Sequence, residues 1–550
     1  MRIWTGRAGS GKTTAILREI AALSERGEGR QILLVPELNS HLMERRLAAA
    51  THNHGARTAE VLTFSRLADR VFSEVGGLAQ QMLTPAGQLL TLQEAARRVQ
   101  GGLSAWKGLA DKPELLQEAL RLIDECKTCA VAPETLFAAA EESEDAVLAE
   151  KLSDLAQILT AYERLCEESL PDPRDRLTHL RDRLAESHTL DGAAVYLDGF
   201  LGFTVQESAV VDAMLAAGVP LSAAVTCDTD YPEIFLTGCK TVQKLTRMAK
   251  HHNQTVERIE LGESKVARPE GLAALERESL LPVRTPQESA AGVRLYEAAS
   301  PFDECEHAAA YIRRKVRDEG ARCRDFVVAA RDIEPYSAFL AMAMARYDIP
   351  VFLAEKPDLL SRPPMALVTN ALEAVRNYFR YEDLFSCLKT GLAGLDWDEI
   401  DKLENYVLTW NIRGGAWERE WTEHPDGYGL SIDENAKAQL AELNTLRKRA
   451  IAPFSALREA LAGEQPAGDC VRALYAFLLA VDAPQRMIDR AAGHEQAGRL
   501  QLADEYRQLW EILVSAMEQF AWVCGDMPLT LDRFAQLFRL VLGEYDVGTI

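Results

Sequence analysis

Gly6-Arg7-Ala8-Gly9-Ser10-Gly11-Lys12-Thr13 is the stretch on which the fold turns. It satisfies G-x-x-x-x-G-K-[ST] at every fixed position. Glycines let the backbone curl so that successive N–H groups point inward and approach an anion closely. A helix starting at the end of such a loop aims the positive end of its dipole at the same spot. The Lys12 ammonium then reaches the β- and γ-phosphates of a nucleotide, and the Thr13 hydroxyl ligates Mg²⁺. The expected nucleotide cradle is therefore Gly6, Arg7, Ala8, Gly9, Ser10, Gly11, Lys12 and Thr13. The alternative is a chance glycine-rich turn, which needs neither a strand before it nor a helix after it.

Outward from the loop, both are expected. Residues 3–5 read as a short strand, and 13–26 carry helical periodicity ended by Gly27 and Gly29. Residues 31–35 form a compact apolar run, read as a buried strand; 38–50 read as helix, 60–64 as strand and 65–75 as helix. This alternation predicts a parallel sheet covered on both faces. Between 84 and 190, Ala, Leu, Glu and Arg dominate and the chain reads as a helical insertion. An apolar strand at Ala193–Leu197 ends at Asp198, followed by a helix over 206–217 and a strand at Leu221–Thr226. Residues 263–288, with several prolines and many charges, read as a linker. A second α/β unit is expected from strands at 293–296, 326–330 and near 350–353, with helices over 304–319 and 335–347. Beyond about 363 the chain reads as helical. The chain stops at Tyr545-Asp546-Val547-Gly548-Thr549-Ile550 with no cap or polar tail, and a fragment of something longer is expected.

Hydrolysis needs more than a cradle. A strand should deliver an Asp to the Mg²⁺ shell, and a carboxylate or Gln should orient the attacking water. Val195-Tyr196-Leu197-Asp198 supplies the strand and the Asp, making Asp198 a nucleotide and metal residue; its alternative is a strand-end turn residue. The next residue is Gly199, which cannot polarise water, while Gln206 and Glu207 lie on the following helix. Binding with slow or absent hydrolysis is the expectation.

Composition narrows the class. A chain of 550 residues implies three or four domains, and a 47% hydrophobic content permits a sizeable core. No run of apolar residues is long enough for a transmembrane helix, and the first residues show no secretory pattern, so a cytoplasmic protein is expected. A formal charge of −22 opposes an indiscriminate nucleic-acid coat but not a narrow basic groove. Of ten cysteines only Cys126 and Cys129 form a CxxC pair, and no second pair of ligands accompanies it. The pairs His52/His54 and His251/His252 read as surface histidines, and the acidic run over 141–150 as a solvated helix or loop.

The ordered pieces resemble a known family. Besides the glycine-rich loop they are Leu34-Val35-Pro36-Glu37; Thr63-Phe64-Ser65-Arg66-Leu67-Ala68; Leu197-Asp198-Gly199-Phe200 with Phe203-Thr204 and Gln206-Glu207; Arg331-Asp332 with Tyr336; Tyr347-Asp348-Ile349-Pro350; and Leu403-Glu404-Asn405-Tyr406. Together they resemble the AddB subunits of bacterial AddAB helicase–nucleases, which process double-strand breaks for recombination. The resemblance implies an α/β P-loop NTPase fold, a superfamily 1 helicase-like pair of RecA-like domains with large helical insertions. On that reading residues 1–83 and 191–285 form the first RecA-like domain, 84–190 its helical insertion, 286–362 the start of the second, and 363–550 a helical accessory subdomain. It implies ATP and Mg²⁺ as cofactors, an AddA-like helicase–nuclease partner in a heterodimer, DNA ends and single-stranded DNA as ligands, and no membrane. In that family this subunit is not the motor; it holds single-stranded DNA and scans for the Chi hotspot, and Gly199 agrees with a non-motor role. Family members are about twice this length. Their 5′→3′ exonuclease and the cysteines of a 4Fe–4S cluster are expected beyond Ile550, so none of the ten cysteines is assigned to a cluster. The arginine that touches the γ-phosphate is not placed; Arg331 is a loose match.

In a RecA-like pair, loops at strand ends line the single-strand track. Phe64 can stack on a base and Arg66 can pair with phosphate or base edges, or else Phe64 sits in the core and Arg66 in a surface ion pair. Glu37, Leu38 and Ser40 occupy another such loop, where the family usually reads Val-Pro-Asp-Gln. Phe200 and Phe203 follow the Asp198 strand. The aromatic stretch Trp397, Tyr406, Trp410, Trp417, Trp421 and Tyr428 favours core packing or a partner interface over stacking on DNA. Two further functions compete: an autonomous superfamily 1 DNA helicase, against which Gly199 argues, and a P-loop NTPase with no DNA role, which salt-dependent single-strand binding would separate.

Overall fold

The computed structural model describes residues 1–52, 58–262, 264–278, 286, 289–353 and 359–545. The chain divides into two compact units, Met1–Lys265 with Asp358–Ile550, and Val266–Pro357.

The first unit is built on a six-stranded sheet. Its strands are β1 (Arg2–Gly6), β2 (Arg30–Leu34), β3 (Ala59–Leu62), β4 (Ala193–Leu197), β5 (Leu221–Thr226) and β6 (Glu257–Glu260), in the order β3-β2-β4-β5-β1-β6. Every neighbouring pair is parallel. Parallel strands need crossovers, which here place helices on both faces, so the apolar residues of successive strand positions point alternately to two opposite cores. Trp4, Leu33, Val35 and Tyr196 face α1 (Lys12–Glu25) and α2 (Ser40–Ala50), packing with Ile16, Ile20, Met43 and Leu47. Ile3, Ile32, Leu34, Val195 and Leu197 face α3 (Phe64–Val75), α4 (Val205–Ala216) and α5 (Leu236–His251), packing with Leu67, Val211, Met214 and Leu245. Each such aliphatic side chain contributes roughly 1.5–3 kcal/mol on burial.

Two strand details differ from the sequence reading. The strand expected at 60–64 stops at Leu62, because Thr63 caps a helix: its hydroxyl accepts the Arg66 N–H at 3.2 Å. Phe64 therefore opens α3 rather than closing β3. The edge strand β6 has no counterpart in that reading, since Glu-Arg-Ile-Glu lacks an apolar run; charges on an edge also discourage pairing with other chains.

The two helical regions, 84–190 and 363–550, look independent in sequence but share one core. Leu89, Leu92 and Leu159 belong to the same buried cluster as Phe520, Phe534 and Phe538. Polar ties cross the same boundary: Gln117 Nε2 donates to Glu544 Oε1 at 2.8 Å, and Arg533 Nη1 to the Asp111 carbonyl at 3.1 Å. Most of the aromatic stretch packs into this core. Tyr406 and Trp421 stack with centroids 4.6 Å apart, and Trp417, fully buried, offers its carbonyl to buried Arg447 at 2.6 Å. Trp410 is half-buried; Trp397 and Tyr428 are exposed.

The second unit has a small core, Cys305, Ala309, Ile312, Leu340, Ala343, Met344 and Ile349, between the helices Pro301–Glu319 and Glu334–Arg346. The strands expected at 293–296, 326–330 and 350–353 do not form. A strand needs a neighbour's hydrogen bonds, and none of the described residues of this unit supplies one. Several of their apolar side chains stand in solvent: Leu295 is 100%, Val327 91% and Phe352 76% exposed. Arg331 consequently follows no strand and is exposed. The expected linker over 263–288 lies largely outside the described residues, though Glu270–Glu278 is helical.

All ten cysteines are free; Cys126 is buried at the end of a helix and Cys129 caps it. His252 pairs with Asp212 at 2.9 Å, His52 belongs to no potential metal-binding group among the described residues, and His54 lies outside them. In the acidic run, Asp145 caps the helix Ala146–Glu168. Among the described residues no helix is long and apolar enough to cross a membrane.

Candidate nucleotide-binding site

β1 enters the loop at Gly6 and α1 leaves it at Lys12, so the glycine-rich stretch lies between strand and helix as its chemistry requires. Gly9 and Gly11 have φ of 78° and 97°, the left-handed region that side-chain-bearing residues avoid. Gly11 is the N-cap of α1. At Gly6 a Cβ would lie 2.6 Å from Ser10 Oγ, so the loop closes only with glycine there. A turn hydrogen bond from the Ser10 N–H to the Arg7 carbonyl, 3.2 Å, sets the curl.

Lys12 folds back over the loop and is 8% exposed. Its ammonium donates to the Gly6 carbonyl at 2.8 Å and the Arg7 carbonyl at 2.9 Å. Burial pulls its pKa below the usual lysine value, and the charge of Asp198 acts in the opposite sense. Asp198, 3% exposed, sits at the carboxyl end of β4, its N–H bonded to the Leu34 carbonyl at 3.1 Å. Burial pushes its carboxyl above the usual range; the Thr13 hydroxyl, the Gly199 N–H, Lys12 and Arg46 counter that push. Thr13 and Asp198 are thus side by side. Asp198 Oδ2 and the fully buried Ser10 Oγ have no hydrogen-bond partner among the described residues. Buried polar atoms without partners are costly, and beside an anion cradle a bound ligand or water would satisfy them. One carboxylate and one hydroxyl oxygen beside an anion cradle fit Mg²⁺, which takes few protein ligands and keeps phosphate and water oxygens for the rest. Among the described residues no group of three or more His, Cys, Asp or Glu could hold a metal alone.

Arg7 contributes main chain to the cradle, while its guanidinium turns away to Asp228 at 2.6 Å, over the rings of Tyr231 and Phe235. This partnership spans 221 residues and has no local signature. The water-orienting groups considered in sequence are engaged elsewhere. Glu207 closes a capping box with Thr204: the Thr204 N–H donates to Glu207 Oε2 at 2.8 Å and the Glu207 N–H to Thr204 Oγ1 at 3.1 Å. Thr204-Val205-Gln206-Glu207 carries the T-x-x-E signature of that motif, a signal the sequence reading passed over. Gln206 donates to the Arg174 carbonyl at 2.9 Å. At Gly199, φ is 85° and a Cβ would lie 3.2 Å from Asn39 Nδ2 and 3.4 Å from Pro36 Cδ, so a glutamate there would be strained and tightly packed.

The remaining candidate residues line the carboxyl ends of three adjacent strands, β3, β2 and β4. Phe64 is 5% exposed and meets Phe200 edge-on at 5.6 Å; its ring is a core residue with no face open to a base, a correction to the stacking role considered for it. Phe200 is half-buried and packs on Phe203 at 5.0 Å. Arg66 is exposed and pairs with Glu44 at 2.5 Å. Glu37 is exposed on the turn after β2, and its carbonyl accepts the Ser40 hydroxyl at 3.0 Å. Leu38 between them is 99% exposed.

Comparison with known proteins covers this whole assembly. Residues 3–276 match the family model described as ADDB, N-terminal. Across its full length the chain is 32% identical to the B-type subunit of the ATP-dependent helicase/deoxyribonuclease of Acetivibrio thermocellus, covering 49% of that protein. It is 30% identical to the protein of the same name from Thermoanaerobacter sp. (strain X514) and 29% to that of Clostridioides difficile, covering 49% of each. The chain belongs to the AddB family. It spans about half the length of these curated relatives and corresponds to the N-terminal half of AddB. The AddB match runs from β1 into the helix Glu270–Glu278, so it includes the glycine-rich loop, Asp198 and the three strand-end loops.

Proposed function

We propose that this chain is the N-terminal half of a non-motor subunit of a heterodimeric ATP-dependent helicase–deoxyribonuclease that serves recombinational repair of DNA breaks. In this reading it is a P-loop protein of superfamily 1 type, partnered by an AddA-like motor, and it holds single-stranded DNA across the carboxyl edge of its sheet to scan for a Chi-type sequence. The nuclease activity and any iron–sulfur cluster belong to the half of the family's length not covered by this chain.

One observation carries the nucleotide part: Lys12, Thr13 and Asp198 converge where Ser10 Oγ and Asp198 Oδ2 are buried without partners. Main-chain amides of the loop bind the phosphates, Lys12 exchanges its carbonyl contacts for phosphate oxygens, and Thr13 with Asp198 would hold Mg²⁺. When bound, Mg²⁺ neutralises charge on the β- and γ-phosphate oxygens. The candidates for orienting water are taken up elsewhere: Glu207 and Gln206 are committed to α4 and its neighbour, and Gly199 has no side chain. Binding without appreciable turnover follows.

The test is equilibrium binding of a fluorescent ATP analogue to the chain, with phosphate release measured in parallel with and without single-stranded DNA. The expected result is Mg²⁺-dependent binding lost in Lys12→Ala, single-strand binding that weakens as salt rises, and almost no phosphate release. Brisk DNA-stimulated release abolished by Lys12→Ala would make the chain an autonomous motor instead. DNA binding indifferent to salt would remove the strand-holding role.

A further inference from the structure

The glycine-rich loop is crossed by a strap that its sequence pattern does not include. After β6, Leu261, Gly262 and Lys265 lie against the loop. The Leu261 N–H donates to the Thr5 carbonyl at 2.9 Å, and the Lys265 N–H donates to the Gly9 carbonyl at 2.9 Å. The approach is close: a Cβ on Gly6 would lie 3.2 Å from the Gly262 carbonyl oxygen, and one on Gly11 would lie 3.9 Å from Cδ of Lys265. The stem of Lys265 therefore lies over the N-cap of α1, the residue whose conformation starts the anion-binding helix end.

The cations inside the pattern are already engaged by the protein. The Lys12 ammonium donates to two loop carbonyls, and the Arg7 guanidinium is paired with Asp228 and covered by two rings. Lys265 is different. It is exposed, its main chain is pinned to Gly9, and no carboxylate among the described residues lies within ion-pair distance of its ammonium. Its Nζ is two bonds beyond the Cδ that sits above Gly11. An anion held by the amides of Gly11 and Lys12 is the negative charge that such a side chain reaches first. Charge-assisted contacts of this kind are strong and orientation-tolerant for an ammonium.

We infer that Lys265 is a second phosphate-binding cation of this site, closing over the cradle onto a terminal phosphate oxygen of a nucleoside triphosphate. The inference rests on the nucleotide reading above and adds to it a residue from outside the G-x-x-x-x-G-K-[ST] stretch. It also makes a distinction that the loop alone does not: a contact to the terminal phosphate favours the triphosphate over the diphosphate.

The experiment titrates fluorescent ATP and ADP analogues with Mg²⁺ into the chain and into Lys265→Gln, Lys265→Arg and Lys12→Ala. Lys265→Gln should bind the triphosphate about tenfold more weakly at low ionic strength, with a smaller loss for the diphosphate. Lys265→Arg should stay within about twofold of the unaltered chain. Because Lys265 is exposed, the gap between the unaltered chain and Lys265→Gln should narrow as salt rises. Two results would overturn the inference: Lys265→Gln binding as well as the unaltered chain while Lys12→Ala fails, or Lys265→Arg failing alongside Lys265→Gln, which would mark a packing role for the strap. Absence of nucleotide binding by the unaltered chain would instead remove the loop reading itself, and the inference with it.

Discussion

Asp198 carries two opposed demands. As the proposed Mg²⁺ ligand it would have to present an ionised oxygen to a metal; as a buried residue it is penalised for ionising, and its carboxyl is raised above the usual range by that burial. A raised carboxyl binds more protons in the folded than in the unfolded state. Its contribution therefore favours folding at low pH and is lost as pH climbs from the ordinary aspartate value through the raised one. Asp198→Asn keeps an acceptor for the Thr13 hydroxyl but removes the charge. The expected outcome is stability without nucleotide raised by roughly 1 kcal/mol at neutral pH, and Mg²⁺-dependent nucleotide binding weakened about tenfold. Thermal melts across pH beside nucleotide titrations check both halves, and a variant that loses stability at neutral pH contradicts the account. Much at this scale was legible beforehand. The loop geometry at Gly6, Gly9, Gly11, Lys12 and Thr13 is set by neighbours in sequence, and Asp198 stands at the end of an apolar strand. Arg7 with Asp228 was not legible, because the fold alone joins residues so far apart.

At the scale of elements, the strands that could be read were those with apolar side chains on both faces. Ala193–Leu197 and Leu221–Thr226 form where expected, and β1 and β2 within a residue of expectation. Apolar alternation failed in two directions. It missed β6, which is held by main-chain bonds to β1 rather than by buried side chains, and it found strands at 293–296, 326–330 and 350–353, where no neighbouring strand pairs with them among the described residues. The phenylalanines also misled: Phe64 is apolar enough to prolong a strand, but the Thr63 cap turns the chain into α3. Caps thus position the strand-end loops as firmly as the strands do. At the start of α4 the reciprocal Thr204–Glu207 bonds fix the loop carrying Phe200 and Phe203. Thr204→Ala removes one bond of that box and should cost about 1 kcal/mol, read as a lower denaturation midpoint, with amide exchange accelerating first at the beginning of α4. An unchanged midpoint would mean that the loop is held by the aromatic contacts alone.

On the scale of the whole molecule, stability is unevenly shared between the two units. The first has both faces of a sheet covered and a helical core that two distant stretches of chain build together. The second gathers seven buried hydrophobic residues into its core while leaving Leu295, Val327 and Phe352 in solvent. A unit with so little buried apolar surface has little to set against the entropy of ordering its chain. Unfolding should therefore begin in Val266–Pro357 at lower denaturant than elsewhere. The sequence supplies its own reporter. All eight tryptophans lie outside that interval, at Trp4, Trp106, Trp397, Trp410, Trp417, Trp421, Trp510 and Trp522. The helices Pro301–Glu319 and Glu334–Arg346 contribute to the far-ultraviolet circular dichroism signal but to no tryptophan emission. A urea titration followed both ways should show an early loss of ellipticity with unchanged fluorescence, then a main transition seen by both probes. If the two curves coincide throughout, the units unfold as one cooperative body, and the small core of the second must draw its stability from the first.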